Sequence, residues 1–191
     1  MIPFNKLGWA FHKFGSLIYP KYIREKLCEN LQELPKGAKV LDIGAGTGVL
    51  SHFAKECRDD LELHAIDPAL GMLKYCHNEI CTYQGVAEEL PFEDNSFDAI
   101  IMGEAMHHFS DIQKAFLEAK RVLKPNGFIF IYDFDPNFFM GKIIAKGEKL
   151  LGEPAHFFTP SKLASKLRAL SFETTSYGYN FRYILIAGKK S

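Results

Sequence analysis

Three short stretches of this chain carry residue types whose spacing could do chemistry. The first is Val40-Leu41-Asp42-Ile43-Gly44-Ala45-Gly46-Thr47-Gly48-Val49-Leu50-Ser51. Glycine at 44 and 46 permits positive φ and lets a ligand approach the backbone with no Cβ in the way, and Gly48 lets a following helix pack closely on a sheet. Asp42 stands two residues before the first glycine, where a buried strand prefers an apolar side chain. Its carboxylate needs donors there, either backbone amides or a ligand ammonium. The second stretch ends in Asp67-Pro68. A carboxylate at the end of a strand can accept from two adjacent ribose hydroxyls; alternatively Asp67 caps the next helix, with Pro68 at its first position. The third is His107-His108. A neutral imidazole could take a proton from a second substrate or orient it, and the plain alternative is a pair of loop histidines bonded to backbone.

These residues need a scaffold that brings them to one edge, and the periodicities describe one. Ile23, Leu27 and Leu31 predict a helix over 20–33, broken by Pro35-Lys36-Gly37. Strand and helix signals then alternate, with strands near 38–43, 61–66, 80–84, 97–102 and 127–133. Helices are predicted near 47–57, 69–77 and 111–123. The last of these has a capping box at Ser110-Asp111-Ile112-Gln113 and stops at Pro125-Asn126-Gly127. Thr159-Pro160 opens a further helix. Final strands near 172–178 and 181–187 flank a tight turn at Tyr179-Asn180, too short for a crossover helix, so this pair is antiparallel. The expected architecture is α/β, a doubly wound, Rossmann-like, mostly parallel sheet. In such sheets the ligand lies beyond the carboxyl ends of the strands, where strand order reverses.

A dinucleotide site is the obvious competitor, but its G-x-G-x-x-G fingerprint would need glycine or alanine where this chain has Val49. The run VLDIGAGTGVLS, followed in order by AIDPALGMLKYC, YQGVAEELPFEDNSFDAIIMGEAMHHF and FLEAKRVLKPNGFIFIYDFDP, resembles the class I S-adenosylmethionine-dependent methyltransferases over roughly residues 38–134. The likeness is closest to the small-molecule, methyltransferase type 11 branch that includes quinone-biosynthesis enzymes. It implies seven strands, the C-terminal hairpin supplying the one antiparallel strand. By the same resemblance Asp42 and the backbone around Gly44 hold the methionine end of the cofactor, with Gly103 and Glu104 beside it. Asp67 takes the ribose hydroxyls and Met72 packs on the adenine, and Gly46, Gly48 and Pro68 complete the cofactor set. Where the family often has Gly-Asp-Ala-Glu, this chain has Gly85-Val86-Ala87-Glu88, which leaves Ala87 and Glu88 to meet the adenine without the usual acid. His107 and His108 become the catalytic candidates on the acceptor side, and Tyr132, Asp133 and Asp135 would line the same rim. Transfer to a small, partly apolar acceptor is the implied reaction. A non-catalytic binding protein of the same fold, and less so an NAD-dependent oxidoreductase, are the alternatives.

Lys plus Arg equals Asp plus Glu, at 23 each, so no global charge attracts nucleic acid or an anionic membrane. The 191 residues suit a single domain, divided as an N-terminal helical cap (1–34), a cofactor-binding core (38–134), a helical substrate-side insertion (135–170) and a C-terminal hairpin (171–191). Phe4, Trp9, Phe11, Phe14, Tyr19 and Tyr22, with Phe134, Phe138, Phe139, Phe157 and Phe158, could close a lid over an apolar pocket, or simply pack two extra helices. Cys28, Cys57, Cys76 and Cys81 have no zinc-site spacing, so no metal is expected, and they need not pair as disulfides. No apolar run approaches a membrane span, and Lys6, His12 and Lys13 interrupt the N-terminal segment where a signal peptide would be apolar. A reducing cytoplasm is therefore the expected compartment.

Overall fold

Val40, Leu41 and Ile43 are each at most 1% exposed, as are Ile100, Ile101, Ile129 and Phe130. Consecutive side chains buried on opposite faces require cover on both sides, which helices provide in a parallel sheet. The computed structural model describes residues 19–150 and 156–189. Its elements are α1 (Lys21–Gln32), β1 (Lys39–Ile43), α2 (Val49–Cys57), β2 (Glu62–Asp67), α3 (Leu70–Leu73), β3 (Cys81–Gln84) and β4 (Phe97–Gly103). After a 3-10 turn (Met106–His108) come α4 (Ile112–Val122), β5 (Leu123–Phe134), α5 (Phe139–Leu150), α6 (Pro160–Ala169), β6 (Phe172–Tyr179) and β7 (Arg182–Lys189).

One seven-stranded sheet has the order β3-β2-β1-β4-β5-β7-β6. β7 runs antiparallel to both its neighbours and every other pair is parallel. Leu41, Ile43, Ile100, Met102, Ile129 and Ile131 meet α4 and α6 on one face, whereas Val40, Ala99, Ile101, Phe130 and Tyr132 meet α1 and α2 on the other. Strand order reverses between β1 and β4. The carboxyl ends of β1, β2, β4 and β5 therefore share one edge, at Gly44, Asp67, Gly103 and Phe134.

The structure departs from the sequence expectations in several places. The helix expected over 69–77 is the single turn α3, since Ala69 at its N-cap contributes no side-chain bond and the chain then curls so that Cys76 meets the glycine turn. α4 is capped by Asp111, whose Oδ1 accepts from the amides of Gln113 and Lys114, and not by a box on Ser110. Pro125-Asn126-Gly127 lies inside β5, at a register shift opposite Asp98, while α4 has already ended at Val122. Thr159 does cap α6, its hydroxyl accepting from the amide of Lys162.

Cys28 and Cys57 form a disulfide between α1 and α2. These helices pack on one sheet face with their C-terminal ends together, which brings the two Cα atoms to 5.3 Å, within the span a disulfide bridges. No helix among the described residues is long and apolar enough to cross a membrane. Phe4, Trp9, Phe11 and Phe14 lie outside the described residues.

Candidate functional site

The edge begins with the glycine turn. Gly44, Gly46 and Gly48 all take positive φ, at 71°, 54° and 74°. At Gly44 the conformation and the packing both demand glycine, because an added Cβ would collide with that of Ala105. Its amide and that of Ala45 donate to the Ile66 carbonyl, at 2.9 and 3.2 Å, which fixes the turn to the end of β2. Gly48 is the left-handed N-cap of α2, and a Cβ there would stand 2.8 Å from Cys76 Sγ. The room it makes is thus for the loop after α3, not for close packing of α2 on the sheet. Burial pushes the Cys76 thiol up to about 12, so it stays protonated and donates weakly to the Gly46 carbonyl at 3.8 Å.

Asp42 lies beneath this turn and is 2% exposed. Its Oδ2 accepts from Ser51 Oγ at 2.7 Å and from the Ser51 amide at 3.2 Å, in the first turn of α2. Burial raises its carboxyl to about 7 against the opposing pull of these bonds, and the charge of Asp67 adds to the rise. Asp67 spans the gap between the glycine turn and the end of β2. Oδ2 accepts from the Gly46 amide at 2.8 Å and Oδ1 from the Ala69 amide at 2.7 Å. Burial raises its carboxyl too, opposed by both amide bonds. Asp67 is not the cap of α3, since Ala69 holds that position, with Pro68 exposed ahead of it and its carbonyl accepting from Gln84 Nε2.

The far side of the edge is built from β4, β5 and β7. Tyr19 donates its hydroxyl to the Gly103 carbonyl at 3.3 Å, and burial with the nearby carboxylates of Glu104 and Asp42 holds that hydroxyl protonated. Glu104 has φ 51°, its amide donating to the Tyr132 carbonyl at 2.7 Å. Its carboxylate pairs with Arg182 at 3.1 Å, and the guanidinium rests against the rings of Tyr132, Phe134 and Phe181. His107, in the 3-10 turn that follows, sets Nδ1 2.8 Å from Asp133 Oδ1, both side chains being 2% exposed. The Phe157 ring stacks on the imidazole at 4.3 Å, and the His156 amide donates to the His107 carbonyl.

With that geometry in place, known proteins locate its family. The profile described as "Methyltransferase domain" matches residues 41–131, from the strand holding Asp42 almost to Asp133. Residues 41–131 are a methyltransferase domain. The demethylmenaquinone methyltransferase of Tropheryma whipplei (strain Twist) is 32% identical over 139 residues, covering 69% of this chain and 57% of that protein. The uncharacterized methyltransferase YcgJ of Bacillus subtilis (strain 168) is 40% identical over 102 residues, 50% of this chain and 40% of that protein. The chain thus spans about half the length of these curated relatives. Among solved structures, YcgJ superposes with a TM-score of 0.71 at 21% identity, covering 90% of this chain and 100% of that one. An S-adenosylmethionine-dependent methyltransferase from Aquifex aeolicus superposes with a TM-score of 0.70 at 22% identity, over 92% and 96% of the two chains. These likenesses carry the fold.

Within the methyltransferase domain, Asp42, Gly44, Gly46, Gly48, Asp67 and Met72 converge, the Met72 Cε lying 3.4 Å from where a Gly46 Cβ would stand. The amide of Gly85 donates to the Asp67 carbonyl, which brings the Val86-Ala87-Glu88 segment alongside. Ala87 is buried and Val86 exposed, while Glu88 accepts from the Asp111 amide at 3.0 Å and is engaged at the entrance of α4. Tyr132 and Asp133 are interior residues and not an open rim, because β7 covers the end of β5. Asp135 accepts from the Asn137 amide at 2.9 Å and shapes the loop into α5. Of the aromatic residues expected to form a lid, Phe134 and Phe157 pack with His107, whereas Phe138 and Phe139 are 48% and 76% exposed. Sequence reasoning passed over Ser51, Arg182 and the pairing of His107 with Asp133. Ser51 could have been found from its place in the first turn of the helix that starts above Asp42.

Proposed function

We propose that the chain transfers a methyl group from S-adenosylmethionine to a small, partly apolar acceptor. The observation that carries this reading is the sign of the charge the edge wants. Asp42 and Asp67 lie close together and buried, and each carboxyl is raised because its charge is poorly solvated. A cationic ligand relieves that cost, and an anionic one adds to it. S-adenosylmethionine brings an ammonium and a sulfonium, whereas the pyrophosphate of NAD brings negative charge to a turn whose neighbouring acids are already strained.

The residues present fit such a cofactor. Asp67 uses one site on each oxygen for a backbone amide, and an ionised carboxylate has about four acceptor sites, so two remain for ribose hydroxyls. Asp42, the Gly44 backbone, Gly103 and Glu104 would hold the methionine end, and Met72 and Ala87 would flank the adenine. Glu88 can join them only by giving up the Asp111 amide. The sulfonium supplies the reactive methyl, so the protein's task is to align the acceptor, exclude water and, for an O–H or C–H acceptor, accept a proton. His107 is the candidate for that last role, with His108 beside it at 4.2 Å between ring centroids. The name of the Tropheryma relative supports a partly apolar acceptor. The Cys28–Cys57 disulfide weighs against a reducing cytoplasm, and the thiol titration described below decides that part of the reading.

Calorimetry of the purified chain against S-adenosylmethionine, S-adenosylhomocysteine and NAD tests the proposal. The first two should bind and NAD should not. Binding of NAD alone would overturn it.

A further inference from the structure

α5 meets the rest of the protein through a glycine and turns its large side chains outward. An added Cβ at Gly141 would collide with the Asp135 carbonyl, so the helix lies against the chain that leads into it. Phe139, Met140, Ile143 and Leu150 are all exposed, Phe139 by 76% and Leu150 by 88%. Among the described residues, no other element carries more than two exposed large apolar side chains. At about 100° per residue, Phe139, Ile143 and Leu150 fall within roughly 40° of one another, opposite Gly141. Lys142 and Lys146, both exposed, run along one border of that stripe, and Met140 lies on the other. Single exposed apolar residues are ordinary, but a continuous outward stripe along one helix marks a surface that something covers. We infer that α5 lies in the surface of an anionic lipid bilayer, with Phe139, Ile143 and Leu150 among the acyl chains and Lys142 and Lys146 on the headgroup phosphates.

Charge decides the occupant. A lysine buries its stem along apolar surface while its ammonium reaches polar groups at the border, which matches the succession of acyl chain and phosphate at a bilayer surface. The one acid of the helix, Glu148, holds a position beside Gly141 by helical spacing, so within α5 only positive charge borders the stripe. A second copy laid on this stripe would bring the same lysines and, from α5, no acid to pair with them. The 12 residues make a helix about 18 Å long, enough to lie in the interface and too short to cross it. The charges of the whole chain balance. Attraction to a charged surface acts within a Debye length, about 8 Å at physiological ionic strength, so a local pair of lysines is enough to bias it. α5 follows β5, whose Phe134 packs with His107 at the carboxyl edge of the sheet. Docking through α5 would therefore bring that edge near the bilayer.

Flotation of the full chain with phosphatidylcholine vesicles, with and without phosphatidylglycerol, tests this. No cofactor is present, so the inference stands or falls apart from the methyl-transfer reading. The chain should float with the anionic vesicles, bind the neutral ones at least about tenfold more weakly, and be released by raised salt. Ile143→Glu should weaken the binding about tenfold or more, the scale of burying one such side chain, with Tm unchanged because Ile143 is exposed. Replacing both lysines, Lys142→Gln with Lys146→Gln, should bring affinity for the anionic vesicles down to that for the neutral ones. Failure to float with anionic vesicles would overturn the inference, as would equal binding to both kinds or binding that neither variant weakens. Light scattering without vesicles completes the test. A dimer that Ile143→Glu splits into monomers would assign the stripe to a second copy, and a monomer that ignores both kinds of vesicle would leave it to a protein partner; either result overturns the bilayer as occupant.

Discussion

Replacing Asp42 with asparagine removes a titratable group but keeps its shape and an oxygen for Ser51. Burial raises the Asp42 carboxyl from 3.8 to about 7. The folded chain therefore binds this proton more tightly than the unfolded chain does. The stability it contributes is fully present below about pH 4 and is lost as pH rises through about 7. The gap is about 3 pH units, and at roughly 1.4 kcal/mol for each, the loss is on the order of 4 kcal/mol. Urea unfolding of both proteins between about pH 4 and pH 8 reads it directly. The unmutated chain should lose stability relative to Asp42→Asn across that range, other titrating groups cancelling in the difference. A flat difference would mean that Asp42 is ionised throughout, with Ser51 and the α2 N-terminus holding the charge, and would refute the reasoning. The same arithmetic extends to the ligand. An ammonium beside Asp42 favours its ionised form, so binding near pH 6 should release close to one proton and binding near pH 8 almost none. Both S-adenosylmethionine and its thioether product should do this, because both keep the ammonium. Calorimetry in buffers of different ionisation enthalpy counts the protons, and a count of zero at pH 6 would place the ammonium elsewhere.

Asp67→Ala should weaken cofactor binding by roughly 1.5–3 kcal/mol, the scale for hydrogen bonds to a charged group, and should also lower Tm because the Gly46 amide loses its acceptor. A lowered Tm with unchanged affinity would leave Asp67 only the role of bracing the turn. Gly44→Ala puts a side chain at φ 71° and against Ala105, so thermal unfolding should register a loss of at least about 1–2 kcal/mol. An unchanged Tm would contradict the turn geometry. Cutting the Cys28–Cys57 link, whose partners are 29 residues apart, should cost about 3–4 kcal/mol by chain entropy. Urea midpoints with and without dithiothreitol measure this, and denatured, unreduced protein should show only the thiols of Cys76 and Cys81. Four thiols in protein purified without reductant would remove the disulfide and restore the reducing compartment.

Much of the fold was legible because its signals are local. Ile23, Leu27 and Leu31 at intervals of four gave α1, all three fully buried. The two-residue turn after Tyr179 forced an antiparallel final pair before any pairing was known. Local signals failed where a distant neighbour decided the outcome. Residues 69–77 read as a helix, yet α3 stops after one turn because the next residues must return Cys76 to Gly48. Pro125-Asn126-Gly127 reads as a helix stop and a loop, but the register shift opposite Asp98 takes these residues into β5 without breaking it. Ser110 and Asp111 are both good caps by type, and only the path of the chain into α4 selects Asp111.

The site divides along the same line. The glycines, Asp42 and Asp67 belong to one turn and its neighbouring strand end, so their types and spacing were enough to bring them together. The histidines were found but their partner was not. Asp133 lies 26 residues from His107, and one sequence contains no sign that two plausible residues share a proton. The choice of ligand also rests on firmer ground than a missing glycine at position 49. A fingerprint argument excludes NAD by what one turn lacks, and turns vary. Two buried carboxyls raised by their own burial set a preference for positive charge that an anionic pyrophosphate would have to overcome at both residues at once. That preference belongs to the donor half of the site. In the proposed reaction the acceptor would meet the other half, where Phe134 and Phe157 pack against His107 and Arg182, paired with Glu104, rests on Phe134. The proposed acceptor, compact and partly apolar, suits those aromatic rings better than a polyanion would.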